Sequence, residues 1–401
     1  MPYTVPDIEP LESILPDEPL LMMGAGPVPI PARVAAANGI VINHLGETMA
    51  RIIEQVKAMS RYVFQTESRH ILGVAGPGSA AMEMAVINLV DSGTRVLTVN
   101  NGFFSSRLGE MARRAGGDVM ELDAGVACAA READVIEAIR THRPRVLTIV
   151  QGETSSTVFN HALPAICRAA LDADCLVICD AVCTLSTMPL EMDAWGVDVV
   201  ITGGQKGLSS IPGVSLVAFS DRAWEVIERR ERRLSHWCLD ARLAHQFWYN
   251  KSYHYTAPVS GILALHEALR LVCQETLPRR FDRHLRCSRA LQAGIEGLGL
   301  ALYIDGPSRL NSVVGIHLPE GLAQADLMAH ISRHHGVEIS GAFGANIVRI
   351  GQMGEQCRTH HLFRTLHALG ASVRTLGYQV DVPTGVAALE KALERYRPVY
   401  A

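Results

Sequence analysis

Lys206 and Asp180 are the residues in this chain whose chemistry fits together most closely. Lys206 lies in Val199-Val200-Ile201-Thr202-Gly203-Gly204-Gln205-Lys206-Gly207-Leu208, where a β-branched apolar run gives way to glycines. An amine at a strand end among small residues can meet a flat ligand with little steric obstruction. Upstream, Cys175-Leu176-Val177-Ile178-Cys179-Asp180-Ala181-Val182 is a second apolar run, and it ends in one carboxylate. A lysine and a carboxylate at the ends of two parallel strands suit pyridoxal phosphate. The amine forms a Schiff base, and the carboxylate keeps the pyridine nitrogen protonated so that the ring withdraws electrons. Taken singly, each residue also reads as a surface lysine or a helix-capping aspartate. The inference rests on the ordered pair.

Further segments place polar or cationic groups where such a cofactor and its substrate need them. Gly76-Pro77-Gly78-Ser79 opens a helical stretch. Glycine lets the backbone approach an anion, and the free N–H groups of a helix start favour phosphate. No Gly-Lys-Ser/Thr follows, so this is not a nucleotide P-loop; plain capping is its other reading. Phe104 follows an apolar run in Asn100-Asn101-Gly102-Phe103-Phe104, in a chain with only 5% aromatics. It suits stacking on a flat ring, or packing beneath a loop. Ser155, in Gln151-Gly152-Glu153-Thr154-Ser155-Ser156-Thr157, offers a hydroxyl to cofactor or substrate, or caps a turn. Arg349 is a lone arginine in the apolar run Ile347-Val348-Arg349-Ile350. Its planar fork suits a carboxylate, with a structural ion pair as the alternative.

The elements that must hold these groups follow from the pattern between residues 70 and 220. Short β-rich runs at Arg95–Val99, Asp118–Leu122, Arg145–Val150, Cys175–Cys179, Val197–Ile201 and Val214–Phe219 alternate with amphipathic stretches. The latter are Ser79–Val90, Ser106–Ala115, Glu132–Arg140 and Ala162–Ala173. Repeated β-α units predict a largely parallel sheet covered by helices, with ligands at the carboxyl ends of the strands. From residue 282 the character changes to a smaller α+β domain. It has strand runs at Ser312–His317 and Ile347–Ile350 and helical stretches at Arg283–Gly297, Ala323–His335, Thr359–Leu369 and Gly385–Arg395. The expected division is an N-terminal segment 1–38 draping over a large domain 39–281, then a small domain 282–401.

Composition limits the alternatives. With 401 residues, 48% hydrophobic and 19% charged, the chain is a folded globular protein large enough for two domains. A net charge of −4 gives no reason to expect nucleic acid. Arg229-Arg230-Glu231-Arg232-Arg233 reads as a solvated helix face. The acidic, proline-rich residues 1–19 lack the pattern of a secretory or mitochondrial leader. No apolar stretch approaches the roughly 18 residues that span a membrane, and a cytoplasmic enzyme is expected. Nine cysteines with no CxxC pair, and the His330/His334 and Cys357/His360/His361 groupings, read as buried thiols and surface helices, and no metal site is expected.

Assembled, these residues resemble the class V aminotransferases, nearest to the alanine–glyoxylate and serine–pyruvate group. The likeness runs from Gly24-Ala25-Gly26-Pro27 to Val348-Arg349-Ile350-Gly351. It is strongest at Asp180-Ala181-Val182, Gly203-Gly204-Gln205-Lys206-Gly207-Leu208 and Tyr253-His254-Tyr255-Thr256-Ala257-Pro258. The resemblance implies fold type I of the pyridoxal-phosphate enzymes, with a mainly parallel seven-stranded sheet, and ping-pong transamination between a small amino acid and a small 2-oxo acid. It implies Lys206 as the Schiff-base lysine and Asp180 as the pyridine partner, with Val182 and Phe104 on opposite ring faces. Gly78, Ser79, Ser155 and Gln205 would bind the cofactor, and Gly26 and Arg349 the substrate. Tyr253 and Thr256 would reach the phosphate of a partner subunit, implying a homodimer with composite sites. Pro77 and Thr157 depart from the pattern, standing where a serine and a glycine are common. Donors of the ureidoglycine or pyridoxamine type therefore remain alternatives, as does a lyase on the same scaffold. Gln205, where a desulfurase typically has histidine, argues against that kind of lyase. A non-catalytic binding protein would have little reason to keep Lys206, Asp180 and Arg349 together.

Overall fold

The computed structural model describes residues 4–342 and 344–400. Seven strands form the main sheet: β1 (His70–Ala75), β2 (Arg95–Asn100), β3 (Asp118–Asp123), β4 (Val146–Val150), β5 (Leu176–Asp180), β6 (Val199–Gly203) and β7 (Val214–Phe219). Their spatial order is β1-β7-β6-β5-β4-β2-β3. Only β7 runs against its neighbours. Strands β4 to β7 are buried at every position, which is why they read as unbroken Val, Ile and Leu. Asp180 pairs with Ile201 across β5 and β6. The last residues of both strands therefore lie on one rim, at the carboxyl ends, where β-α connections leave room for a ligand.

Two helices complete that rim. Helix α1 (Gly78–Leu89) starts just after β1, and α2 (Phe103–Arg114) starts just after β2. Their apolar faces, including Met82, Ala85, Val86, Leu108 and Ala112, join the large core around Phe64, Leu97, Ile149, Ile201 and Phe219. The sequence reading omits β1 and the helix Glu47–Phe64. In β1, Gly73 interrupts the strand pattern because Trp248 lies against it; a Cβ there would fall 2.0 Å from the indole.

Helix α3 (Leu277–Gly297) crosses from one core to the other. Leu277 and Phe281 belong to the large core, whereas Cys287, Leu291 and Ile295 belong to a second one. That second core packs three helices, Gln324–His335, Thr359–Thr375 and Val382–Arg395, with an antiparallel sheet of β8 (Val313–His317), β9 (Ser340–Gly341) and β10 (Ile347–Gly351), ordered β8-β10-β9.

The N-terminal segment does not drape over the large domain alone. Leu21–Met22 pairs in parallel with Val337–Glu338 of the small domain, and Met23 is buried in its core. The chain then crosses to the large domain. There Val28 N–H donates to Gln205 O at 3.1 Å, and Val34 of the helix Ala32–Asn38 packs on Ala264 and Ala268. The segment is a strap between the two domains, and it passes directly over Lys206.

Candidate functional site

Asp180 ends β5 with its carboxyl group buried, 5% exposed. Among the described residues, the one hydrogen bond that carboxyl accepts is from Val182 N–H, at 2.8 Å. Burial outweighs that bond and pushes the group up to about 7, and the charge of Glu153 adds to the rise. Lys206 stands on the loop after β6. Burial lowers its pKa, and the charge of Arg349 lowers it further while Cys183 and Asp180 oppose. A larger share of the amine is therefore neutral, as a nucleophile requires. Its Nζ donates to Ala25 O of the strap. Gly26 has a left-handed backbone (φ 102°), and a Cβ there would fall 2.5 Å from Nζ. Glycine is required at 26 on both counts.

The start of α1 approaches this pair closely. A Cβ on Gly78 would lie 2.9 Å from Val182 Cγ2 and 3.7 Å from Gly203 Cα. No side chain caps α1. The Gln205 amide oxygen is buried without a partner beside Gly203. Ser79 Oγ accepts a 2.9 Å hydrogen bond from Arg107 Nη1.

Glu153, fully buried, organises the opposite wall. It accepts from the N–H groups of Phe104 (3.1 Å) and Ser105 (2.9 Å), which caps α2, and from Ser155 N–H (3.1 Å) and Oγ (2.5 Å). Ser155 Oγ in turn accepts from Phe103 N–H at 2.9 Å. Phe104 is thus held at a helix start, edge-on to Phe103 with ring centroids 5.4 Å apart. Thr157, one of the departures noted above, has a left-handed backbone (φ 55°) and a buried hydroxyl without a partner. Such a backbone is uncommon for a β-branched residue.

Arg349 on β10 brings the small domain into the site. It is 8% exposed and bonded to backbone carbonyls only. Nε (2.8 Å) and Nη2 reach Gly341 O, and Nη1 reaches Thr154 O at 2.7 Å. Among the described residues no carboxylate lies within 4.0 Å of it, so it is not a structural ion pair. A buried guanidinium without a counter-ion is suited to take up a carboxylate.

The structure therefore gathers Gly26, Val182, Asp180, Gln205, Lys206 and Arg349, with Gly78 and Ser79 on the adjoining helix start. Tyr253 and Thr256 stand apart on the surface; Tyr253 is 60% exposed and meets the edge of His44. Among the described residues no three His, Cys, Asp or Glu side chains could hold a metal ion. The residues present do fit an anionic, nitrogen-containing flat ligand. A buried carboxyl forms no ion pair among the described residues, a part-buried amine stands near it, and an uncapped helix start lies beside them. Glu153 and Arg107 are the participants that sequence reading did not single out. Glu153 caps a helix 49 residues away, which no local pattern reveals. Arg107 looks like any other arginine on an amphipathic helix.

The family model for class V aminotransferases matches residues 33–366. An alanine–glyoxylate aminotransferase of Oryctolagus cuniculus is 32% identical over 360 residues, covering 87% of this chain and 91% of the relative. Among solved structures, a ureidoglycine–glyoxylate aminotransferase from Bacillus subtilis superposes with a TM-score of 0.91 at 28% identity, covering 95% of this chain and 100% of that one. An alanine–glyoxylate aminotransferase from Nostoc superposes with a TM-score of 0.88 at 32% identity, covering 92% and 98%.

Proposed function

The chain belongs to the class V aminotransferases, with the type I fold of that enzyme class. From that premise we propose that it uses pyridoxal 5'-phosphate to move an amino group from a small amino acid, of alanine or serine type, to glyoxylate or pyruvate. The observation that carries the reading is a set of three charged groups, buried Asp180 and Arg349 and part-buried Lys206, none of which forms an ion pair among the described residues. Each lacks the group that cofactor or substrate would provide.

When bound, the cofactor supplies an electron sink for the bond broken at the substrate's α-carbon. Lys206 would hold it covalently, and Asp180 would keep its pyridine nitrogen protonated. A cation beside Asp180 reverses the effect of burial and keeps the carboxylate ionised. Val182 and Phe104 would flank the ring. Gly78, Ser79, Ser155 and Gln205 surround its polar groups. Arg349 would hold the substrate carboxylate and so orient the α-carbon. With the cofactor bound, the amine of Lys206 would be the group placed to take and return a proton at the substrate's α-carbon. The strap lies over that amine, whose Nζ donates to Ala25 O.

A homodimer with shared sites is part of the proposal. Tyr253 and Thr256 are exposed in a single chain, as residues reserved for a partner's phosphate site would be. Sedimentation at assay concentration should show a dimer; a fully active monomer would remove this part.

The test of function is a half-reaction. The loaded protein is mixed with alanine, serine or ureidoglycine separately, without acceptor. Absorbance follows conversion of the cofactor to its amine form, and mass spectrometry identifies the oxo acid. Conversion by alanine or serine is expected. Conversion by ureidoglycine alone would favour the second reading, which the likeness to the Bacillus subtilis enzyme supports. Conversion by none of them would reject both.

A further inference from the structure

Arg107 is a cation with no anion. It is half-buried on α2, one turn after Phe104, and Nη1 makes a 2.9 Å hydrogen bond to a neutral acceptor, Ser79 Oγ. Its guanidinium lies 4.8 Å from the Phe103 ring centroid and 5.1 Å from that of Phe104. The two phenyl faces hold the planar group in place without neutralising it. Glu83, Glu110 and Arg114 line the same groove. Glu110 is paired with Arg114 at 2.8 Å, and no carboxylate lies within 4.0 Å of Arg107 among the described residues. The charge of Arg107 nevertheless reaches Asp180.

Two further features converge on the place where Arg107 meets Ser79. Helix α1 begins there, 12 residues long and without a side-chain cap, because its N-cap is Pro77. Its first N–H groups and its dipole favour negative charge. Gln205, 9% exposed, has an amide oxygen without a partner. That oxygen folds over Gly203, whose Cα lies 3.7 Å from where a Cβ of Gly78 would stand. A free helix start, a guanidinium without a counter-ion and the Gln205 amide, whose oxygen is unbonded so that its NH2 can turn to donate, form a site for a small, doubly charged oxyanion.

We propose that Arg107 binds the phosphate of the cofactor. The Phe103 and Phe104 faces preset its guanidinium, and Ser79 passes the contact to the start of α1. The inference rests on the reading that this chain uses pyridoxal phosphate. Arg107 then serves affinity and cofactor choice, distinguishing pyridoxal phosphate from pyridoxal, while Lys206 and Asp180 act on the part that both ligands share.

The test is binding, not turnover. Cofactor-free protein is titrated with pyridoxal phosphate and with pyridoxal, following absorbance, for wild type, R107M and R107K. Inorganic phosphate is then used as a competitor. In R107M the affinity for pyridoxal phosphate should fall about tenfold to a hundredfold, and that for pyridoxal should stay within about twofold. R107K keeps charge and fold but loses the fork, and should show a smaller loss confined to pyridoxal phosphate. Phosphate should compete in the wild type and less in either variant. Equal losses for both ligands, or no loss in either variant, would overturn the role of Arg107. Wild-type protein that bound neither ligand would instead overturn the cofactor reading on which it rests.

Discussion

Two buried charge clusters in this molecule are built on opposite principles. At the rim of the main sheet, buried Asp180 and Arg349 and part-buried Lys206 form no ion pair among the described residues, and burial dominates all three: it pushes Asp180 up to about 7 and lowers Lys206 and Arg349. At the domain junction, Glu275 meets Arg280 at 2.7 Å and is gripped by Arg283 through two nitrogens. Burial would raise the pKa of Glu275 too, but the hydrogen bond from Arg283 and the charges of both arginines outweigh it and hold the carboxyl at about 2. The junction satisfies itself. Arg283 spends its remaining N–H groups on Gly354 O and Cys357 O, and Arg280 on Ser186 Oγ and Gly207 O beside Lys206. The self-paired junction holds the loop that carries Lys206. Charge destabilisation is thus concentrated where chemistry is expected and removed from where rigidity is needed.

Removing the amine separates the two clusters most sharply. Lys206→Ala should abolish nearly all transamination, a loss of about 10⁴-fold or more, because base and covalent anchor disappear together. Its unfolding midpoint without cofactor should hold or rise, since an amine costly to bury is gone. Assay and denaturation of the same preparation check both halves.

The reverse should hold at the junction. Glu275→Gln leaves Arg280 and Arg283 buried without their counter-ion and should cost about 3–5 kcal/mol of stability, read by denaturant unfolding. A variant as stable as wild type would show that the junction does not depend on this charge pairing.

The pH dependence of the cofactor-free protein sharpens the comparison further. The carboxyl of Asp180 is raised in the folded chain, so between pH 4 and 7 the native state holds a proton that the unfolded state has released. Its contribution is fully present below the unfolded value and is lost as pH rises through about 7, on the order of 4 kcal/mol in total. Asp180→Asn should flatten that part of the stability profile and stabilise the cofactor-free protein at pH 7.5. The lowered carboxyl of Glu275 has the opposite sign. Its contribution is present above the unfolded value and fades as pH falls towards about 2.

The smallest expected effect concerns Arg349. Arg349→Lys keeps the charge and loses the fork. It should lower kcat/KM by about tenfold to a hundredfold for every α-carboxylate substrate, with a much smaller loss for a plain amine. Equal losses for both kinds of substrate would make Arg349 structural, tied to Gly341 and Thr154 for the sake of the fold.

Much of the rim was legible in the sequence because it is built from strand ends. Fully buried strands announce themselves as β-branched runs, and Asp180 and the Gly203–Lys206 turn mark where two of them stop. What escaped was whatever depends on distant pairing. The strap at Leu21–Met22 joins a strand more than 300 residues away, and its proline- and glycine-rich composition reads simply as loop. Strand β1 was hidden by Gly73, which is there to admit Trp248. Glu153 looked like one polar residue in a hydroxyl-rich loop, and its role appears only when α2 begins above it. Arg280 was invisible for the same reason: its partners come from Glu275, Ser186 and Gly207, brought together only by the fold.

The central claim is that the amine of Lys206 is the group poised for the cofactor, and covalent mapping tests it most directly. The protein is incubated with pyridoxal phosphate, reduced with borohydride, digested and sequenced by mass spectrometry. The account expects one pyridoxyl adduct per chain, on the peptide that carries Lys206, and none in Lys206→Ala. An adduct on another lysine, with Lys206 unmodified, would contradict it.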